Sequence, residues 1–448
     1  MSYSHIQTHR SLYASAKVVV LVLTCFWSLL LGLSGCRPAS PPPVTITIVD
    51  PEWSQPDEMP RAERESQDFT RETGILVNHL LVPETSLGQL DLLREILKGG
   101  SSAPDVVGID VIWPGILEEY LTDLKTDFSA ELASEDPQSV AGYTVDGKLV
   151  AVPYHTHVGV LEYRTDLLRE YGYSHPPRTW DELEQMATRI QAGERANTKK
   201  DFWGYIWQGA AAEGLTCNAL EWQVAQGGGH IIESDKTISV NNPAAIRAWQ
   251  RAAGWVGKIS PPGVVAYREL DSLNVWDSGQ TAFRRTWQWG YRLAHWQEAA
   301  MPDKTGYTSM PGGPGGRVGT LGGIGLGISR FSTHRQEAIA LIRFLLRREL
   351  QSRAASQSGE KPAQPEMIDL PLALDPFRGS VSAQERGLIV TRPSNVTGQK
   401  YESVTRAYFE GVHSVLTGEK SAAKVAADLE KQLIAITGFK SGPPKSAD

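Results

Sequence analysis

The alternation of apolar and polar positions predicts strands and helices that follow one another along the chain. Alternating β-branched or buried apolar residues predict strands at 44–49, 75–77 and 105–110. Helical periodicity predicts helices at 61–73 and 86–98, between those strands. Regular alternation of strand and helix favours an α/β fold, in which mostly parallel sheets are flanked by helices.

Local signals continue this pattern towards the C-terminus. A capping box at Thr179–Glu182 predicts a helix that ends near residue 193, and Asn242 before a proline predicts a helix to about residue 256. The glycine-rich stretch 310–327 predicts a loop followed by a tight strand. Helical periodicity returns at 338–350 and 421–436.

The N-terminal residues have the pattern of an export signal. The only two charges before the apolar run 18–33 are basic, and a run of 16 residues is short for a spanning helix. The run ends in Leu33-Ser34-Gly35-Cys36, which resembles a bacterial lipobox. We therefore expect a lipoprotein signal peptide at 1–35 and a lipid-anchored tether at 36–43, with the lipid on Cys36. A plain signal peptide or an uncleaved anchor with an incidental cysteine are the alternatives.

Composition narrows the class of protein. The 448 residues include 41% hydrophobic and 21% charged residues, which is typical of a globular chain of two or three domains. The net charge is −7, and it becomes −9 if residues 1–35 are removed, so a broad nucleic-acid surface is excluded. Three cysteines cannot form a disulfide framework or a four-cysteine zinc site. After processing, Cys217 remains as a lone thiol, expected to be buried and inert.

Cofactor motifs are weak throughout the sequence. Gly142-x4-Gly147-Lys148 has P-loop spacing, but Leu149 stands where the magnesium-binding hydroxyl is needed. His155 and His157 alternate on one strand face and could seat a metal, yet no third ligand lies nearby in sequence. We expect neither a metal nor a cofactor.

Tryptophans indicate a sugar site. Nine of the 13 tryptophans lie between residues 203 and 296, among acidic and amide residues. Indole faces stack on the C–H faces of sugar rings, and carboxylates and guanidinium groups bind the hydroxyls. The candidates for stacking are Trp203, Trp207, Trp222, Trp287 and Trp289. Helical periodicity instead assigns three others to the core, namely Trp249, Trp255 and Trp276.

Residues 44 to about 436 resemble the family 1 extracellular solute-binding proteins of ABC importers, in the branch of trehalose/maltose-binding proteins. Ten stretches match in the expected order. They are Pro104–Asp110, Val152–Leu168, Pro177–Leu183, Phe202–Gly209, Glu213–Asn218, Gly227–Gly229, Ala282–Trp287, Leu321–Gly323, Arg392–Ser394 and Tyr401–Val404.

The resemblance implies a two-lobed periplasmic-binding-protein fold with a ligand cleft at the hinge. Lobe 1 would comprise 44–155 and 312–355, and lobe 2 would comprise 156–311 and 356–448. By matched position, Asp110 and Glu213 would accept sugar hydroxyls, Trp287 and Trp289 would form the aromatic platform, Gly323 would bring backbone against the ring, and Arg392 would donate.

Three matched positions depart from the trehalose/maltose pattern. Trp53 lies where an acidic residue is expected, His157 replaces an acidic or amide residue, and Ile324 replaces an aromatic residue. These changes should alter the orientation of the sugar ring and the choice of hydroxyls.

The expected function is therefore that of a monomeric, exported substrate-binding lipoprotein. It would capture a sugar, such as trehalose, maltose or a related glycoside, on the periplasmic or extracytoplasmic side and deliver it to an ABC permease without chemistry of its own. A sugar-sensing adaptor lipoprotein is the alternative. A secreted glycoside hydrolase that uses Asp110 and Glu213 is a second one.

Overall fold

The computed structural model describes most of the chain after the N-terminal region. The described residues are 43–51, 59–82, 86–133, 135, 137–197, 200–287, 304–347, 349–350, 361–362 and 387–445. Thr45–Asp448 forms one unit, and Met1–Val44, of which only the last two residues are described, is a separate one. The expected signal peptide, Cys36, Trp53 and Trp289 lie outside the described residues.

Strands and helices alternate over the first half of the chain, as predicted. The strands are β1 Thr45–Val49, β2 Leu76–His79, β3 Val106–Asp110, β4 Thr144–Val145, β5 Lys148–Leu149, β6 Val152–Arg164, β7 Trp203–Ile206, β8 Thr281–Trp287, β9 Thr305–Ser309, β10 Gly312–Gly313, β11 Gly316–Ile328, β12 Lys361–Pro362 and β13 Leu388–Val390. The helices are α1 Met59–Thr73, α2 Ser86–Lys98, α3 Pro114–Leu117, α4 Ser129–Leu132, α5 Pro137–Gly142, α6 Thr165–Glu170, α7 Trp180–Ala196, α8 Glu213–Ala225, α9 Pro243–Trp255, α10 Glu269–Asp277, α11 Arg335–Leu345, α12 Ser394–Thr397, α13 Tyr401–Leu416 and α14 Ala422–Thr437.

The sheet is mixed rather than mostly parallel. Its strand order is β2-β1-β3-β11-β6-β8-β7. The pairs β1–β2, β1–β3 and β7–β8 are parallel, as the alternation of strands and helices predicts. The central pairs β3–β11, β11–β6 and β6–β8 are antiparallel. The prediction of parallel sheets is wrong at the centre, because two long strands cross the molecule in opposite directions there.

These two long strands, β6 and β11, serve two hydrophobic clusters. Val152 and Tyr154 of β6 belong to a cluster built around β1, β3 and α11, whereas Leu161 and Tyr163 belong to one built around α7, α9 and α13. On β11, Val318 packs in the second cluster and Leu326 in the first. Residues near the middle of β6 and β11 therefore lie between the two clusters.

Helix starts follow the local signals that predict them. The Thr179 hydroxyl accepts from the Glu182 amide over 3.2 Å, and Asn242 Oδ1 accepts from Ala244 and Ala245. The Asp146-Gly147 turn has positive φ at both residues and joins β4 to β5, so the sequence with P-loop spacing forms a hairpin instead. No helix among the described residues is both long and apolar enough to cross a membrane.

Candidate functional site

The matched polar and glycine residues converge where β3, β6 and β11 meet. Asp110 ends β3 and pairs with Ile324 of β11. On the other side of β11, Gly322 pairs with His157 and Gly323 pairs with Thr156 of β6. Ile324 of β11 pairs with Asp110 on one side and with His155 on the other, and it is only 6% exposed. It is therefore buried within the sheet. His157 is likewise buried.

Gly323 allows this convergence because its backbone has a φ of +128°, a conformation that favours glycine. A Cβ atom there would lie 2.1 Å from the carbonyl oxygen of His155. The carbonyl oxygen of Gly323 accepts a hydrogen bond from the amide of Val111 over 3.1 Å. Val111 directly follows Asp110 in the chain. The glycine therefore keeps three strands in close contact at the site.

Arg392 joins this strand junction to α8. Its Nη1 donates to Glu213 Oε1 over 3.0 Å, and its Nη2 donates to the carbonyl oxygen of Leu321 over 3.1 Å. Its Nε is buried and has no hydrogen-bond partner among the described residues. Burial would lower the pKa of Arg392, but nearby acidic groups outweigh it and raise that pKa well above its usual value. The guanidinium is therefore charged, and its Nε–H donor is left without an acceptor among the described residues.

Glu213, the first residue of α8, is surrounded by donors from the protein itself. Besides Arg392, the Tyr401 hydroxyl donates to its Oε1, and the Thr405 hydroxyl donates to its Oε2 over 2.7 Å. Tyr401 and Thr405 lie one turn apart on α13. The sequence matched Glu213 to a sugar contact, and the structure adds an organising role, because this carboxylate holds Arg392 and α13 together.

Asp110 is an unusual carboxyl group at this junction. Partial burial raises its pKa above the ordinary aspartate value. The positive charge of Arg392 and a hydrogen bond from the Ile112 amide over 3.1 Å oppose that rise, while Glu213 adds to it. A carboxylate held in such surroundings gains from any further hydrogen-bond donor that reaches it.

Trp287 ends β8 beside this cluster. It pairs with Gly159 of β6, and a Cβ atom on Gly322 would lie 3.0 Å from its six-membered ring. The guanidinium carbon of Arg285 lies 4.1 Å from the ring centroid. Trp287 is only partly buried, so part of its surface stays open.

Arg285 is itself held by Glu221 of α8. Its Nη2 and Nε donate to the two carboxylate oxygens over 2.6 and 3.1 Å, and neither side chain is exposed. The Thr320 amide of β11 adds a third bond to Glu221 over 3.1 Å. Burial alone would lower the pKa of Arg285. The charge and hydrogen bonds of Glu221 outweigh burial, so this pKa lies above its ordinary value. The ion pair therefore links three elements around Trp287.

Two of the other tryptophan predictions are wrong. Trp207 and Trp222 are core residues whose rings meet edge to face at 4.9 Å. Trp203 begins β7 at the edge of the sheet and is partly buried, with the guanidinium of Arg195 from α7 over its ring. The three tryptophans assigned to the core, Trp249, Trp255 and Trp276, are buried as predicted.

A cavity of about 710 Å³ borders the site at Arg392. Its other walls include Ile112, Ala141, His230 and Asn395. Arg392 is the one predicted site residue among the described residues that line it, since Asp110 and Trp287 do not. The candidate site is therefore defined by the converging side chains rather than by this cavity.

Sequence reasoning missed the groups that support the site, which are Glu221, Arg285, Tyr401 and Thr405. One signal was present, because Arg284 and Arg285 interrupt an otherwise apolar strand pattern. Charged residues are rarely fully buried unless they are paired. The partner of Arg285 lies 64 residues away in the chain, so the sequence alone did not identify it.

Burial also determines the protonation state of the Cys217 thiol, which lies one turn after Glu213 on α8. The thiol is buried, and burial raises its pKa to about 12. A thiol with such a pKa is protonated at neutral pH and reacts poorly as a nucleophile. The expectation of a buried thiol is confirmed.

Comparisons with known proteins agree on one family. The family model described as bacterial extracellular solute-binding protein matches residues 53–352. A probable ABC transporter-binding protein of Deinococcus radiodurans is 40% identical over 375 residues, covering 83% of this chain and 89% of that protein.

Solved structures show the same architecture. Maltose-bound MalE3 of T. maritima is 31% identical, with a TM-score of 0.77 over 88% of this chain and 100% of that one. The GacH receptor of Streptomyces glaucescens GLA.O, solved unliganded and with acarbose, is 21% identical and has a TM-score of 0.73, covering 89% of this chain and 100% of that one. The latter identity supports the periplasmic-binding-protein fold alone. The chain belongs to the bacterial extracellular solute-binding proteins.

Proposed function

We propose that the protein binds a sugar at the junction of β3, β6, β8 and β11 and delivers it to an ABC permease. The ligand is a disaccharide such as trehalose or maltose, or a related glycoside. The observation that carries this proposal is the convergence of Trp287, Asp110 and Arg392 on one junction. An indole surface, a carboxylate and a guanidinium are the groups that recognise a sugar ring and its hydroxyls. The maltose bound to MalE3 supports the same class of ligand.

Each group has a separate role in this proposal. The open part of Trp287 stacks on the C–H face of a sugar ring, Asp110 accepts hydrogen bonds from the hydroxyls, and the guanidinium of Arg392 donates hydrogen bonds. His157, Gly323 and Ile324 bound the site from β6 and β11. Glu213, Trp53 and Trp289 complete the proposed contacts, the last two from outside the described residues.

The proposed lobes are 44–155 with 312–355, and 156–311 with 356–448. The two hydrophobic clusters, to which β6 and β11 both contribute, support a division into two lobes. Val318 of the proposed lobe 1 and Tyr401 of the proposed lobe 2 each pack in the cluster of the other lobe. Because the two lobes share these strands, bending at the strand middles would open and close the site. The protein is further proposed to act as an exported, lipid-anchored monomer, with the lipid on Cys36.

We also propose that the protein catalyses no reaction. Glu213 accepts hydrogen bonds from Arg392, Tyr401 and Thr405. Both oxygens of this carboxylate are therefore occupied by donors of the protein itself, so the carboxyl group is not free to protonate a leaving group. This arrangement favours a binding role over glycoside hydrolysis.

Isothermal titration of the full-length protein tests this function. The detergent must lack a sugar headgroup, and the panel should contain trehalose, maltose, maltotriose, simple polyols and glycosides. We expect saturable binding of at least one disaccharide, and no release of reducing sugar during incubation. Absence of binding across the whole panel would overturn the proposal, as would hydrolysis abolished by Glu213→Gln.

A further inference from the structure

We propose that the buried Glu221–Arg285 pair is the positioning element of the Trp287 platform, and that it sets the plane on which the sugar stacks. This inference rests on the proposed function and deepens it. Arg285 does not touch the sugar in this proposal. It acts through the indole ring of Trp287.

Two hydrogen bonds join Arg285 to Glu221. Arg285 offers Nη2 and Nε to the two oxygens of Glu221, over 2.6 and 3.1 Å. A two-point contact between planar groups fixes the plane of the guanidinium as well as its place. The Trp287 ring centroid then lies 4.1 Å from that guanidinium carbon. A fixed cation over a ring restricts how the ring can tilt.

The pair is also hydrogen-bonded to strand β11. Glu221 accepts a further hydrogen bond from the Thr320 amide, two residues before Gly322, whose backbone lies against the Trp287 ring. The same β11 strand therefore anchors the carboxylate and contacts the ring. A Cβ atom at Gly159 would lie 2.0 Å from Glu221 Oε1 and 2.6 Å from Arg285 Nη2. The absent side chain at Gly159 leaves room for the pair directly beside Trp287.

Stability alone is a weak reason for such a pair. Both side chains are fully buried, and removing two charges from water offsets much of their mutual attraction. Apolar residues of similar size often stabilise a fold as well as a buried ion pair does. A planar, directional contact provides what apolar packing lacks, which is a defined orientation for the neighbouring ring.

The expected effect is moderate. A ring that is free before binding must be ordered when the sugar binds, which weakens affinity roughly 3- to 10-fold for one side chain. We therefore expect Arg285→Lys, which keeps the charge but loses the planar fork, to weaken disaccharide binding by that factor. The double variant Arg285→Met/Glu221→Gln removes both charges, so no unpaired charge stays buried, and it should have the same effect.

A double-mutant cycle distinguishes positioning from a general structural role. If Arg285 acts through the ring, its replacement should change affinity less than about twofold in a Trp287→Ala background. An equal loss of affinity in both backgrounds would overturn the inference. Loss of cooperative thermal unfolding in both Arg285 variants would also overturn it, because the pair would then serve the fold itself.

Fluorine NMR provides a readout that needs no sugar. In full-length protein labelled with 5-fluorotryptophan, the Trp287 signal is assigned by its disappearance in Trp287→Phe. We expect this signal to shift in both Arg285 variants without ligand, while the Trp203 signal stays in place. An unchanged Trp287 signal would contradict the inference. Absence of wild-type sugar binding with a shifted signal would instead reject the proposed function and leave the positioning of the ring supported.

Discussion

Arg392 Nη1 lies 3.0 Å from Glu213 Oε1, and this contact joins the segment after β13 to the first turn of α8. Glu213 also accepts from Tyr401 and Thr405 of α13. One carboxylate therefore orients a guanidinium of the proposed sugar site and fastens two helices to each other. Its loss should affect stability before any sugar is added.

We predict that Glu213→Gln lowers the free energy of unfolding by about 1.5–3 kcal/mol, the contribution typical of hydrogen bonds to a charged group. The amide keeps the shape of the carboxylate but loses its charge and one of its acceptors. Urea denaturation of the ligand-free full-length protein measures the change. The matched control is Glu410→Gln on α13, where the carboxylate is largely exposed and 3.9 Å from Arg406. It should stay within about 0.5 kcal/mol of wild type. Equal urea midpoints for Glu213→Gln and wild type would contradict the prediction.

Asp110 should make stability depend on pH. Partial burial raises its folded-state pKa, so the native protein holds this proton more tightly than the unfolded chain does. Its contribution to stability is therefore present at acid pH and is lost as pH rises through the raised pKa. Asp110→Asn cannot ionise. We predict that the stability of this variant relative to wild type increases with pH across the carboxyl range, while its affinity for sugar falls.

Urea denaturation of both proteins from about pH 2 to about pH 8 measures that difference. Asp235 is a control of opposite sign, because its hydrogen bond with Lys445 lowers its pKa to about 2. Asp235→Asn should become less stable relative to wild type as pH rises through the acid range, by a small amount at this exposed site. A stability difference for Asp110→Asn that is flat with pH would show that its carboxyl is unperturbed.

Gly323 and Gly254 should respond to alanine in opposite ways. At Gly323 the backbone is strained for alanine, and the added methyl group would meet the His155 carbonyl oxygen. We predict a loss of about 1–3 kcal/mol in the free energy of unfolding. Gly254 lies inside α9 with open space around it, so Gly254→Ala should stabilise by about 0.5–1 kcal/mol. Thermal unfolding of both variants tests this, and a Gly323→Ala protein as stable as wild type would refute the role given to that glycine.

Local sequence signals predicted much of the fold. The caps at Thr179 and Asn242 and the alternation at β1 depend on neighbouring residues, which the sequence displays directly. Three helix boundaries were misplaced. α7 extends to Ala196, and α11 begins at Arg335 and ends at Leu345, because tertiary packing decides where a helix stops.

Pairings between distant residues could not be predicted in the same way. The antiparallel pairing of β6 with β11 joins positions about 165 residues apart, and no local pattern specifies its direction. The bonds from Tyr401 and Thr405 to Glu213 span 188 and 192 residues. Trp207 and Trp222 have polar sequence neighbours, yet burial is set by residues brought close only on folding. Matched motif order predicted Asp110, Gly323 and Arg392 as site residues, and their contact with a sugar stays a prediction. The groups that hold them became visible only in the structure.

The proposed lipid anchor leads to a separate prediction. If a diacylglyceryl group is attached to Cys36, Cys36→Ser should release the exported protein from membranes, because two acyl chains are needed for stable attachment. Fractionation of expressing cells, followed by detection in membrane and soluble fractions, measures this. The released variant should bind sugar with wild-type affinity. Continued membrane retention would identify residues 18–33 as an uncleaved anchor instead.

The sugar platform is tested most directly by measuring disaccharide affinity for wild type, Trp287→Ala and Trp203→Ala. Trp203 is a matched control, since Arg195 lies 4.3 Å from its ring centroid on β7, much as Arg285 lies over Trp287. Removal of a desolvated stacking surface costs about 2–4 kcal/mol, or roughly 30- to 1,000-fold in the dissociation constant. We predict that isothermal titration shows this loss for Trp287→Ala and none for Trp203→Ala. Binding by Trp287→Ala within threefold of wild type would contradict the placement of the sugar site.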